Sequence, residues 1–294
     1  MLIFLNHLIN GLSLGSVYAI IALGYTMVYG IAKMLNFAHG DVIMVGAYIC
    51  FFAVSSYRLP PVIGVVLAVA ACTALGIVIE RLAYKPLRQA SSLAVLITAI
   101  GVSYFLQNGA QLLWTSNIKM FPSFFSSEPI ALFGGELKIS AAAAVTVLTC
   151  VVIMLALSWF TGRTKLGKAM RACSEDKGAA QLMGINVNAT ISMTFAIGSA
   201  LAAVAGVLFC SVYPTLTPTT GSMPGIKAFT AAVFGGIGSI PGALLGGVLL
   251  GIIEIFAGAY ISTQMSNAIV FAVLIVVLLV RPSGLLGKQI REKV

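Results

Sequence analysis

The residues most able to do chemistry are a few charged side chains placed inside long apolar stretches. Glu254 lies well within one stretch, and Lys227 lies within a shorter one before it. A charge in an apolar medium is costly unless it is paired or hydrated, so such residues usually have a function. We expect the two side chains either to bind each other as a structural pair or to face a water-filled cavity. Asp41 lies at the start of another stretch, close enough to the membrane surface that we expect its carboxylate simply to be hydrated.

Two other local patterns do not indicate catalysis. His39 lies in the polar connector 36–41 and has no second ligand at metal-binding spacing, so a loop-capping or hydrogen-bonding role is expected. Gly236 and Gly238 have part of a nucleotide-binding spacing, but no strand precedes them and no acidic residue follows at the required distance. The sequence also contains no Walker A motif and no nucleophile–base pair. We therefore expect no ATP hydrolysis, no metal and no cofactor in this chain.

The elements that carry these residues are predicted by composition. Of the 294 residues, 60% are hydrophobic and only 9% are charged, and the mean hydropathy is +1.05. Soluble domains contain about 25% charged residues, so the bilayer must be the solvent. A span of hydrocarbon requires about 20 apolar residues in a helix. The stretches that approach this length are 8–29, 42–57, 62–79, 93–113, 139–160, 191–213, 243–257 and 267–280. The sequence predicts an all-α bundle of transmembrane helices that forms one domain over residues 1–294.

The basic residues predict how the bundle is oriented. Most of them lie in alternate connections, at Lys33, Arg81, Lys85, Arg88, Arg163, Lys165, Lys168, Arg171, Lys177, Arg281, Lys288, Arg291 and Lys293. The opposite connections contain only Arg58, Lys119 and Lys138. Cytoplasmic loops are enriched in Lys and Arg, so the first set is placed in the cytoplasm, with the N-terminus periplasmic and the C-terminus cytoplasmic. The net charge of +9 thus indicates topology, and nucleic acid is not an expected partner.

This topology needs an odd number of crossings, which the eight stretches do not provide. The missing crossing is assigned to 224–238, which opens with Pro and Gly and ends in a glycine-rich turn. We predict a short or broken helix there, and about eight to nine membrane helices in all. Glycine stripes, such as Gly247 and Gly251, let helix backbones approach closely in lipid. They indicate ordinary packing or, alternatively, an interface that moves.

The segment 161–188 is the most informative soluble part. Ser174 is predicted to N-cap a short helix, Glu175 and Asp176 to lie in its positive first turn, and Gly184 to end it in the left-handed conformation. Its apolar residues would face either the lipid headgroups or a groove in a partner protein. The residues alone favour neither.

Several blocks along the chain resemble a known family. They are NGLSLGSVYA at 10–19, GYTMVYG at 24–30, NFAHG at 36–40, ACSED at 172–176, GIN at 184–186 and KAFTAAVFGGIGSIPG at 227–242. Together they are similar to permease subunits of bacterial ABC importers for branched-chain amino acids, the LivH/LivM family. The resemblance runs from about residue 6 to the C-terminus.

The resemblance implies a permease of the inner membrane that carries leucine, isoleucine or valine by alternating access. Its implied partners are a second, LivM-like permease, two cytoplasmic LivG- and LivF-like ATPases that hold ATP and Mg, and a periplasmic amino-acid-binding protein. The resemblance also favours the partner groove for the loop 161–188. The expected ATPase contacts are Arg171, Glu175, Asp176, Ala179, Ala180 and Gly184.

A translocation pathway is expected to use polar and glycine-rich positions of the bundle. The candidates are Asn36, His39, Lys227, Gly235, Gly236, Gly238, Ser239 and Glu254. The nearest alternative is the same architecture carrying urea, short amides or another amino acid. An ion-coupled secondary transporter and a passive channel are alternatives of other classes.

Overall fold

The backbone forms a bundle of long helices. The computed structural model describes residues 2–125, 130–132 and 137–287, so Lys288, Arg291 and Lys293 of the predicted cytoplasmic tail lie outside the described residues. The helices are α1 (Leu2–Ala32), α2 (His39–Ser55), α3 (Pro61–Ile79), α4 (Ser92–Trp114), α5 (Ala141–Arg163), α6 (Lys165–Glu175), α7 (Lys177–Leu182), α8 (Val187–Val212), α9 (Ser222–Gly235), α10 (Ile240–Tyr260) and α11 (Ser266–Val280). A π-helical turn, Glu80–Tyr84, and a 3-10 turn, Lys85–Leu87, extend α3.

The predicted fold class is confirmed, because an apolar helix lies at each predicted stretch. Within the described residues, six helices are long and apolar enough to cross a membrane, namely α1, α3, α4, α5, α8 and α10. Helices α2 and α11 are apolar but shorter. The predicted short helix is α9, which has 14 residues and is continuous. Pro224 lies in its first turn, where a proline removes no helical hydrogen bond.

Four short strands in the described part of the chain mark one end of the bundle. Strands β1 (Lys119–Met120) and β4 (Thr215–Leu216) pair antiparallel, as do β2 (Ile130–Leu132) and β3 (Leu137–Ile139). We call the end that carries β1 and β4 the strand end. The opposite end carries α6 and α7, and we call it the loop end.

Helix α1 lies at the centre of the bundle, in contact with α5, α8, α9 and α10. Glycines bring its backbone very close to α10, since a Cβ built on Gly15 would lie 2.7 Å from Val248 Cα. Gly247 and Gly251 face α1 at the same contact, whereas Gly246 faces α9. The glycine stripes therefore lie in tight helix contacts, as the packing interpretation predicts.

The connector between α1 and α2 turns back into the bundle. His39 and Asp41 are each only 1% exposed, and α2 begins at this buried position. Helix α9 begins beside it, because a Cβ built on Gly225 would lie 2.8 Å from Gly40 Cα. The expectation that Asp41 is hydrated near a surface is therefore wrong. Its carboxylate instead accepts a hydrogen bond of 2.9 Å from Gln107 Nε2 of α4.

Candidate functional site

Lys227 and Glu254 meet inside the bundle. Lys227 Nζ lies 2.6 Å from Glu254 Oε1, and the two side chains are 8% and 15% exposed. Tyr18 Oη, near the middle of α1, donates a hydrogen bond of 2.9 Å to Glu254 Oε2. The Lys227 ammonium also lies 5.9 Å from the centroid of the Tyr18 ring. The expected pairing is confirmed, and it joins α9 to α10 with α1 as its support.

The pair also lines a cavity, so pairing and a position facing a cavity occur together. The cavity has a volume of about 470 Å³ and extends from Tyr18 towards the strand end. Its apolar lining includes Leu14, Phe209, Met223 and Ile255. Its polar lining includes His7, Asn10, Tyr213, Thr263, Ser266 and Asn267, in addition to the charged pair. A cavity lined by charged, polar and apolar residues suits a small amphipathic solute.

Aromatic rings pack against each other on the loop-end side of the charged pair. The ring of Phe229 on α9 has its centroid 5.7 Å from that of Tyr25 and 5.5 Å from that of Phe37. Tyr25 in turn contacts the His39 ring, with a centroid distance of 4.6 Å. Since these rings belong to α1, α2, α9 and the connector between α1 and α2, a change in the angle of α9 would move the contact.

The other candidate pathway residues lie elsewhere. Gly236 and Gly238 have φ values of +104° and +96°, which favour glycine, in the turn between α9 and α10. The segment after α11 covers this turn, with a hydrogen bond of 2.9 Å from Leu286 N to Gly235 O. Ser239 N-caps α10, where its Oγ accepts a 3.2 Å hydrogen bond from Gly242 N. The structure therefore gives these residues positions in a turn at the loop end, apart from the charged pair.

A polar network at the loop end holds Asn36 in place. Asn36 Oδ1 accepts a 2.9 Å hydrogen bond from Tyr84 Oη in the π-helical turn. Glu80, in the same turn, is fully buried and accepts a 2.6 Å hydrogen bond from Ser192 Oγ of α8. It also forms an ion pair with Arg88. π-helical turns are frequent at functional sites.

The loop helix begins two residues later than predicted. Ser174 does not N-cap it, because Ser174 lies in the last turn of α6 and donates a 2.7 Å hydrogen bond to Arg171 O. Glu175 is the last residue of α6 and so is not in the first turn of α7. The N-cap is Asp176, whose carboxylate accepts hydrogen bonds of 2.7 Å and 3.0 Å from Gly178 N and Ala179 N. Gly184 follows α7 with φ +81°, as predicted.

The exposed surface of this loop combines acidic and apolar residues. Leu182 and Met183 are 90% and 82% exposed, beside the exposed Ala179. Ala180 is 3% exposed, so it faces the bundle and presents little surface to a partner. The remaining candidates, Arg171, Glu175, Asp176 and Gly184, are all exposed.

Similarity to known proteins extends over the whole chain. The family described as branched-chain amino acid transport system / permease component matches residues 7–278. The chain belongs to this family. The high-affinity branched-chain amino acid transport system permease protein LivH of Escherichia coli K12 is 46% identical over 303 residues, which cover 100% of this chain and 98% of that protein. The corresponding protein BraD of Pseudomonas aeruginosa PAO1 is also 46% identical, over 99% of this chain and 98% of its own length.

One solved structure has a similar chain. It is PsaBC from Streptococcus pneumoniae in complex with Fab, with a TM-score of 0.49, 16% sequence identity, and coverage of 93% of this chain and 91% of that chain.

This branched-chain amino acid permease also has buried polar contacts that the sequence did not predict. Glu80 and Tyr84 lie in such contacts, and so does Asp41, which was expected to be hydrated. Glu80 directly follows the predicted stretch 62–79. An acidic residue at the end of an apolar stretch could have been recognised from the sequence as a candidate for a buried polar contact. Gln107 lies inside the stretch 93–113, but a single amide there does not indicate which helix it contacts.

One loop contact links α7 to α1. Lys177 Nζ donates a 2.9 Å hydrogen bond to Ala32 O, at the C-terminal end of α1. Burial lowers the pKa of the Lys177 amine from its ordinary value, and the nearby Arg88 and Lys33 charges lower it further. The contact gives the loop of this permease a direct connection to its central helix.

Proposed function

We propose that this permease is the membrane subunit of an ATP-binding-cassette importer that carries leucine, isoleucine and valine. The observation that carries the proposal is the identity of 46% to the LivH protein over the full length of both chains. The amphipathic cavity beside Lys227 and Glu254 is compatible with such solutes. The chain itself binds no nucleotide in this proposal, and ATP and Mg are held by partner subunits.

The proposed assembly assigns a different partner to each end of the bundle. The basic loop end faces the cytoplasm of the bacterial inner membrane, and the strand end faces the periplasm, so the N-terminus is periplasmic. Two cytoplasmic ATPases dock at the loop end, a second related permease lies alongside, and a periplasmic binding protein delivers the amino acid. The exposed Leu182 and Met183, flanked by Glu175 and Asp176, would fill a groove on one ATPase.

Transport by alternating access then has a physical route through the bundle. In this proposal the cavity opens towards the periplasmic side, and the contacts of Phe229 with Tyr25 and Phe37 close the pathway on the cytoplasmic side. ATP shifts the equilibrium only by its different affinity for the two conformations of the assembly. Closure of the ATPases would move α7 and, through Lys177, the end of α1.

Purification in mild detergent followed by identification of co-purifying chains tests the proposed assembly. The expected result is a sister permease and two ATPases. Reconstituted into vesicles with its binding protein, the assembly should accumulate leucine only when ATP is supplied. Accumulation on an ion gradient by the isolated chain would identify a secondary transporter and overturn the proposal. Downhill flux without ATP would identify a channel, and ATP-driven uptake of urea but not leucine would refute the proposed substrate.

A further inference from the structure

The charged pair has a structural property that a simple clamp between helices does not require. Lys227 and Glu254 both line the cavity, and each has part of its side chain open to it. Tyr18 occupies Glu254 Oε2, so Oε1 is the oxygen that faces the ammonium group. The rest of the lining combines apolar residues such as Leu14 and Ile255 with polar residues such as Tyr213 and Ser266.

We propose that Lys227 and Glu254 form the binding site for the α-carboxylate and α-ammonium groups of a zwitterionic amino acid. The inference rests on the proposed function and names the groups that recognise its substrate. A solute would enter from the strand end and separate the pair. Lys227 would then bind the carboxylate, Glu254 Oε1 would bind the ammonium, and the aliphatic side chain would contact Leu14 and Ile255.

The energetics favour this exchange for one class of solute. Removal of one partner of a buried ion pair is strongly destabilising, because the other charge is left uncompensated. A zwitterion carries both opposite charges and so compensates both side chains at once. A carboxylic acid or an amine alone compensates one of the two side chains and leaves the other charge without a partner. The site is therefore expected to select for zwitterions, and to reject urea and simple amides.

Tyr18 is a positioning residue in this proposal. Its hydroxyl holds Glu254 through Oε2, so the carboxylate keeps its orientation when Lys227 leaves Oε1. Without this hydrogen bond, Glu254 would be free to follow Lys227, and the ammonium site would be lost.

The first test uses the unmodified assembly of permease and ATPases, without the binding protein. Its thermal unfolding is measured with millimolar leucine, with leucinamide, which has no carboxylate, and with 4-methylpentanoate, which has no ammonium. We expect a stabilising shift with leucine and at least a tenfold weaker effect with either analogue, since each analogue loses one charge-assisted contact. Equal effects of all three compounds, or no shift with leucine, would overturn the proposal.

The second test separates binding from packing. The double variant Lys227→Met with Glu254→Gln removes both charges, so neither charge is left unpaired. Its glutamine still provides an acceptor for the Tyr18 hydroxyl. We expect it to assemble and unfold as the wild type does without ligand, and to lose the leucine-induced shift at least tenfold. A matched control is Glu80→Gln with Arg88→Met, which removes the Glu80–Arg88 ion pair outside the cavity and should keep the leucine-induced shift. A normal leucine shift in the first double variant would contradict the proposal.

Vesicle uptake distinguishes this proposal from the proposed function. If wild-type vesicles accumulate a different amino acid instead of leucine, the substrate assignment fails, and that amino acid with its one-charge analogues becomes the probe of the site. If leucine is accumulated equally by the wild type and the Lys227→Met, Glu254→Gln variant, the site assignment fails and the transport function stands.

Discussion

Replacement of Asp176 by alanine would remove the N-cap of α7. The side chain of Asp176 accepts hydrogen bonds from Gly178 N and Ala179 N, and alanine accepts neither. Loss of an N-cap costs about 1 kcal/mol. Helix α7 has only 6 residues, and isolated helices shorter than about 12 residues are marginal in water. The change should therefore increase the unfolded fraction of α7 about fivefold.

A compensating substitution tests whether helical order is the cause. Gly178 lies in the first turn of α7, and alanine is more favourable than glycine in a helix by about 1 kcal/mol. A Cβ built on Gly178 meets only the Asp176 carboxylate, at 3.3 Å, and that contact is removed in the Asp176→Ala background. The combination of Asp176→Ala with Gly178→Ala should therefore restore the helix to near its original stability.

Two measurements on the reconstituted assembly check this reasoning. Hydrogen exchange of the α7 amides should become about fivefold faster in Asp176→Ala and return towards the original rate in the double variant. ATP-driven uptake should fall and recover in parallel. Asp176→Asn is the matched control, because asparagine caps as well as aspartate but has no charge. Our explanation is refuted if Asp176→Asn abolishes uptake as fully as Asp176→Ala does and if Gly178→Ala gives no recovery in the Asp176→Ala background. In that case the charge of Asp176, and not the order of α7, is what uptake requires.

Three further predictions concern packing, a buried hydrogen bond and a titrating amine. Gly247→Ala should destabilise the permease by about 1–3 kcal/mol in thermal unfolding, because the new methyl overlaps α1; Gly258→Ala, in open space on the same helix, should be neutral or slightly stabilising. Tyr84→Phe should cost about 1–3 kcal/mol, because it leaves the buried Asn36 oxygen without its donor; an unchanged unfolding temperature would argue against that contact. Lys177 should lose its proton at a lower pH than an exposed lysine, since burial and neighbouring cations disfavour its ammonium form; a titration followed by NMR of isotopically labelled lysine would test this, and an ordinary or raised pKa would contradict it.

The sequence predicted the helices well because the bilayer restricts the choice of structure. A long apolar stretch in lipid must satisfy its own backbone hydrogen bonds, and a helix does this without any partner. The predicted stretch 62–79 and the observed α3, Pro61–Ile79, consequently differ by a single residue. Lys227 and Glu254 were also found from the sequence, since a charge in such a stretch is conspicuous.

The loop shows where local reasoning was insufficient. Ser174 and Asp176 are both good N-cap residues, and only the course of the chain decides between them. Helix α6 continues to Glu175, so Ser174 is helical and Asp176 takes the cap. Ala180 appeared as available as Ala179 in the sequence, yet it faces the bundle because α7 packs against α8.

What the sequence alone determined, then, is the set of helices, their apolar character and the two charges that must be compensated inside them. Tertiary structure decided that these charges meet across 27 residues of sequence and open onto one cavity. It also decided that Asp41 is buried, because the connector after α1 turns inward. The physical reason is that a helix apolar on every side has no periodicity to indicate its partners. Backbone contacts between glycines select those partners, and they form only when the helices pack.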